Sequence, residues 1–212
     1  VPQQASPGVG LEPGMTSVRE PQQDRSRATR ERLLSSTVDL LATQGWAATT
    51  VAKVAEEAGV SRGAAQHHFP TREALFTAVI EQMYETMTAE VGDALVDIPV
   101  GPDRIAAVVD QAVAIYTGKR FKAALQVWSA AASDEALGEV IRPLELKLGR
   151  AAHQFVLTGL DPDGTHSQAH RLAQITLDLA RGFGLADTLT DDSRRRAGVA
   201  AAWVEQLQGA LG

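Results

Sequence analysis

Six consecutive positions, 62–67, carry side chains suited to reading a nucleic-acid duplex. Arg62 can pair with guanine edges or with a phosphate, and Gln66 can both donate and accept at adenine. His67 adds a third polar contact. Gly63 and Ala64 are small enough to let a backbone approach the duplex closely. Thr50 and Ser61 stand where hydroxyls and free backbone N–H groups at helix N-termini suit phosphate oxygens. Arg72 is placed to clamp a phosphate from the start of a following helix. Arg25, Arg27 and Arg30 form a basic arm upstream, of the kind that adds backbone or minor-groove contacts.

These residues need two short helices around a tight turn to act together. The surrounding sequence predicts them. Leu33, Leu34, Thr37, Val38, Leu40 and Leu41 recur at helical spacing in a helix that begins near Asp24 or Ser26 and ends at Gly45. Trp46 is expected to fold back on its last turn. Thr49 or Thr50 caps a helix over 51–58, Gly59 supplies the turn, and Val60 plugs the space between two helices. Ser61 caps a reader helix over about 62–67, which Phe69 and Pro70 stop. Thr71 opens a long helix running to about residue 93. A helical hairpin with ordinary caps is the plain alternative for such a pattern taken alone.

The whole string is more specific than the pattern. Leu33, Leu40, Leu41, Gly45, Trp46, Thr50, Val51, Val54, Ala55, Ala58, Gly59, Val60, Ser61, Gly63, His68, Phe69, Arg72, Glu73, Ala74 and Leu75 resemble the N-terminal domain of the TetR family of transcriptional regulators. The resemblance implies an all-α protein with a helix-turn-helix domain and a C-terminal helical domain that binds a small molecule and dimerises. Two positions depart from the family pattern. Gln66 replaces a common aromatic, and Ala65 replaces a larger aliphatic. The second change leaves space behind the reader helix, for which Trp46 is the candidate filler.

The remaining chain is acidic and helical. Residues 24–73 hold seven basic and six acidic side chains, whereas residues 74–212 hold twelve and eighteen. The overall charge of -6 therefore conceals a locally basic reader. Cysteine is absent, which excludes thiol chemistry, disulfides and Cys-based zinc sites and fits a cytoplasmic location. No apolar run approaches the about 20 residues that span a bilayer, and no signal peptide is recognisable. The predicted organisation is a disordered tail over 1–23, with Met15 a possible internal start, then a DNA-binding domain over 24–74 and a ligand-binding and dimerisation domain over 75–212. Helices are expected over 71–93, 102–117, 119–133, 134–157, 167–188 and 191–211, for about nine in all. Pro143 is expected to kink one of them or mark its first turn.

In this second half, Met83, Tyr84, Met87, Tyr116, Phe121, Gln126, Trp128, His153, Phe155, Gln174, Asp178 and Phe183 fall at core-like positions. Ordinary packing accounts for each singly. Together they could line an apolar pocket with Tyr84, Tyr116, Phe121 and Trp128 as walls and His153, Gln174 and Asp178 as polar anchors. The resemblance implies a two-fold interface through Leu179, Phe183, Ala186, Val199 and Trp203, with Ala180, Gly182 and Gly184 allowing close approach. Intrachain packing is the alternative. His166 and His170 are spaced to share a metal, but no third ligand is spaced to match, so no metal or cofactor is expected. No catalytic constellation stands out, so the chain is not expected to be an enzyme. The expected function is that of a homodimeric regulator, a repressor, that binds a palindrome in double-stranded DNA and is released by a small-molecule effector. The competing reading is a small-molecule-binding or enzymatic helical protein whose helix-turn-helix is vestigial.

Overall fold

The computed structural model describes residues 19–211, in which nine helices and no strands occur. They are α1 (Arg19–Ala48), α2 (Val51–Glu57), α3 (Arg62–His68), α4 (Arg72–Asp97), α5 (Arg104–Tyr116), α6 (Lys119–Ala131), α7 (Glu135–Leu160), α8 (Ala169–Ala186) and α9 (Ser193–Leu211). No helix of the described residues is long and apolar enough to cross a membrane.

The first helix corrects the expected tail. Residues 1–18 lie outside the described residues, but α1 starts at Arg19, so 19–23 are helical. Pro21 falls in the first turn, where a missing N–H forfeits no helical bond. Gly45, at φ 79° and ψ 179°, interrupts α1 near its end. That left-handed φ belongs to glycine, and it turns the chain toward α2. Pro143 lies well inside α7, which continues through it as one helix.

Among the described residues, three apolar cores hold the helices together. Leu33, Leu34 and Leu40 from α1 meet Val54, Ala55, Ala65, Phe69, Leu75 and Val79 under the reader helix. Leu41, Phe76 and Ile80 meet Ala123 and Val127 of α6 and Leu137 and Ile141 of α7. The third and largest core joins α5, α7, α8 and α9 around Val108, Ala112, Phe155, Val156, Leu177 and Phe183. Successive helical residues point about 100° apart. Leu40 and Leu41 therefore serve different cores, as do Leu75 and Phe76. Through these pairs α1 and α4 bind the reader to the rest of the bundle.

Two glycines allow the C-terminal helices to touch. A Cβ on Gly184 would lie 2.0 Å from the Tyr116 carbonyl oxygen, and one on Gly159 would lie 2.6 Å from Val108 Cγ2. Arg104 donates to the carbonyls of Gly159 at 2.7 Å and Thr158 at 3.1 Å, satisfying two orphan groups at the end of α7.

Candidate nucleic-acid interface and inner cavity

Each short helix of the reader is set by its cap. Thr50 Oγ1 accepts from Lys53 N–H at 3.2 Å, Ser61 Oγ from Ala64 N–H at 3.2 Å, and Thr71 Oγ1 from Ala74 N–H at 3.0 Å. The turn between α2 and α3 closes by Val60 N–H donating to Ala55 O at 2.9 Å, with Gly59 at φ 62°. Val60 packs on the reader core. Ala65 is fully buried under α3. Arg62, Gly63, Gln66 and His67 lie on the opposite, exposed face, together with Ser61 and Thr50. On α3 a polar strip of small and hydrogen-bonding residues therefore faces solvent.

Other cations lie on the neighbouring helices α1 and α2. Arg25, Arg27 and Arg30 are exposed on α1; Arg27 pairs with Asp24 at 3.0 Å, and the Arg30 guanidinium lies 5.7 Å from the Phe69 ring centre. His68 has its pKa lowered, first by burial and then by the neighbouring charges of His67 and Arg30. Lys53, half-exposed on α2 and paired with Glu56 at 3.1 Å, is a further cation of this region.

Two expectations about the reader change. Arg72 is not an open phosphate clamp. Its guanidinium sits 4.2 Å over the Trp46 ring and 5.2 Å over Phe76, and it donates to the Trp46 carbonyl. Trp46 does not fill space beside Ala65 either. It packs on Phe76 with ring centres 4.2 Å apart, at the edge of the shared core. The kink at Gly45 turns it toward α4 and away from α3.

Between α4, α5, α6 and α7 lies a cavity of about 370 Å³. Tyr116, Phe121 and Trp128 form one wall, each ring meeting the next edge-on at 5.4 and 5.8 Å. Met83 and Met87 of α4, Ile115 of α5 and Leu148 of α7 supply further apolar surface. Glu90 and Arg120 pair at 2.8 Å among the polar lining groups. Tyr116 accepts a hydrogen bond from Arg181 at 3.2 Å, and burial raises its pKa.

The expected pocket is thus half corrected. Tyr116, Phe121 and Trp128 line the cavity, but Tyr84, His153, Gln174 and Asp178 do not. His153 stacks on His170 at 5.5 Å between α7 and α8. Gln174 donates to Asp178 at 3.0 Å and Arg181 pairs with Asp178 at 2.8 Å, all toward solvent. An amphipathic helix has two faces, and these polar residues occupy the wet one. Asp161 accepts from the N–H groups of Thr165 and His166, each at 3.0 Å, which holds its carboxyl below the ordinary range against the opposing effect of desolvation.

The expected contact face of α8 and α9 also divides. Phe183 is buried within the chain, Ala180 is fully covered, and Gly184 abuts Tyr116. Trp203 donates through Nε1 to Thr176 Oγ1 at 2.9 Å, so its polar edge is satisfied internally. Leu179 and Ala186 are partly exposed, and Val199, Ile175 and Leu185 are exposed at 36%, 41% and 62%.

Capped reader helices with a clean polar face, joined to a helical bundle with an inner cavity, define a helix-turn-helix regulator architecture. Residues 33–79 match the family described as bacterial regulatory proteins, tetR family. It is 34% identical to the HTH-type transcriptional regulator CymR of Pseudomonas putida over 128 residues, 60% of this chain and 63% of that protein. It is 30% identical to an uncharacterised HTH-type transcriptional regulator of Mycobacterium tuberculosis over 125 residues, 57% of this chain and 62% of the relative. The match thus spans a little under two thirds of either relative. Among solved structures, a transcriptional regulator of Rhodococcus superposes with a TM-score of 0.66 at 22% identity, covering 86% of this chain and 95% of the other. A TetR transcription regulator of Haloarcula marismortui superposes at 0.67 with 17% identity, covering 87% and 98%.

Proposed function

We propose that this protein is a homodimeric, ligand-responsive transcriptional repressor. The observation that carries the reading is the exposed strip of Arg62, Gly63, Gln66 and His67 on a reader helix whose back is buried on Ala65. Arg62 and Gln66 read base edges, and Thr50, Ser61 and Lys53 hold phosphates. Arg25, Arg27 and Arg30 add backbone contacts and steepen salt dependence. Arg72 supports the reader from behind.

Two copies pair through the exposed side of α8 and α9, where Ile175, Leu179, Leu185, Ala186 and Val199 lie, with Trp203 at the edge of the face. The reader helices then meet successive major grooves about 34–36 Å apart. A compact, largely apolar molecule enters the cavity beside Tyr116, Phe121 and Trp128. It favours the arrangement that fits DNA less well and so releases the operator.

Selection from a random duplex pool tests the reading. Enrichment of a palindrome, a two-fold footprint and a steep loss of affinity with salt are expected. Gln66→Ala should change base preference at one position per half-site, by about 1–3 kcal/mol. An unenriched pool, or binding as a monomer, would overturn the proposal.

A further inference from the structure

We propose that Gln126 is the positioning residue through which the cavity sets the attitude of the reader, acting on the backbone N–H of Trp46. The inference rests on the ligand-responsive reading above and deepens it by naming the connection. On α6, Phe121, Ala124 and Trp128 line the cavity, while Ala123 and Val127 enter the core shared with α1 and α4. Gln126 reaches the end of α1. Its Oε1 accepts the Trp46 backbone N–H at 3.2 Å, joining residues eighty positions apart.

The site is fitted to that contact. A Cβ on Gly45 would lie 3.2 Å from the same oxygen, so glycine at 45 serves both the left-handed turn and the approach of Gln126. The other side of Trp46 is held as well. Its carbonyl accepts from Arg72, the first residue of α4, and from Thr49 N–H at 3.2 Å. Arg72 is pressed onto the Trp46 and Phe76 rings with its Nε shut away from solvent and unpartnered, and burial lowers its pKa. Thr49 Oγ1 donates to Gly45 O at 2.8 Å, and the next residue, Thr50, caps α2.

The backbone of one residue, Trp46, is therefore gripped by α6 at its N–H and by α4 at its C=O, five residues before α2 begins. A shift of α6 caused by an occupant of the cavity reaches the 45–49 turn as a pull on Trp46. The ion pair of Lys119 with Asp39, at 2.8 Å, also links α6 to α1. Its side chains are 59% and 48% exposed, so water and salt screen it. Gln126 instead acts through a part-buried, directional hydrogen bond.

Amide hydrogen exchange of Trp46 in the full chain tests this without DNA. Gln126→Met removes the acceptor and should speed exchange at Trp46 about tenfold, the loss of about 1.4 kcal/mol from one hydrogen bond. Gln126→Glu keeps an acceptor oxygen and should exchange like the parent. Ala124→Leu puts bulk on the cavity wall as a stand-in for an occupant. It should change Trp46 exchange in the parent and leave it unchanged when Gln126→Met is already present. Gln126→Ala and Ala114→Leu serve if either first choice fails to fold. Parent-like exchange in Gln126→Met, failure of Gln126→Glu to restore it, or an undiminished Ala124→Leu effect in the double variant would overturn the proposal. An unenriched duplex pool would instead defeat the DNA reading and leave the exchange result standing.

Discussion

The reader and the cavity bundle are both helical, yet they are specified differently. The reader consists of two seven-residue helices, too short to persist alone in water. Each is fixed by a hydroxyl cap, a tight glycine turn and a small buried core. The bundle uses longer helices, and its shape depends on which distant faces meet. Gly184 against Tyr116 and Gly159 against Val108 show how few atoms decide that packing. Under the proposed function, a surface that reads a duplex needs local rigidity, whereas a chamber that admits a molecule needs helices that can adjust. The shared core at Leu41, Phe76 and Val127 makes the two answer to each other.

That contrast breaks most severely at the shared core. Phe76 is fully buried between the halves, so Phe76→Ala should destabilise the protein by about 3–5 kcal/mol. Amide exchange should rise in both the reader and α6. A loss of protection confined to one half would show that the two are not coupled there. Gly184→Ala should cost about 1–3 kcal/mol by forcing α8 away from the α5–α6 corner. Denaturant unfolding should register it, with the reader's exchange pattern little changed. Wild-type stability would contradict the close approach.

Ser61→Ala removes the α3 cap and should cost about 1 kcal/mol. Exchange should rise at Ala64 while the C-terminal core stays protected. The smallest effect is one of pH. His68 has a folded pKa below its ordinary 6.5. Folding stability from this group is present above about 6.5 and is lost as pH falls through the depressed folded value. His68→Asn should flatten that part of the stability curve. An NMR titration placing His68 above 6.5 would reverse the sign.

Much of the reader was legible because its signals are local. Thr50, Ser61 and Thr71 each cap the helix that follows, and the α3 face follows from about two consecutive turns of pattern. Ala65 and the exposed Arg62, Gly63, Gln66 and His67 fall on the sides that periodicity assigns them. Arg72 was misread for the same reason. Its place at a helix start suggests a phosphate, but the ring of Trp46, 26 positions earlier in the sequence, takes its guanidinium instead. Among cavity residues, Tyr116, Phe121 and Trp128 were recognisable as large apolar side chains on helices. His153, Gln174 and Asp178 were not excluded, because polarity alone does not reveal whether a residue faces a chamber or water.

The sequence by itself determined the helices, their caps and the reader's polar face, since hydrogen bonds and spacing within a few residues suffice for these. Only the tertiary structure decided where Trp46 goes, which aromatics enclose the cavity, and which small residues of α8 are used inside the chain. Those outcomes depend on contacts between residues tens of positions apart, where a kink of one glycine redirects a ring and one absent Cβ permits a helix to close. Helical periodicity names a face, and packing alone chooses what covers it.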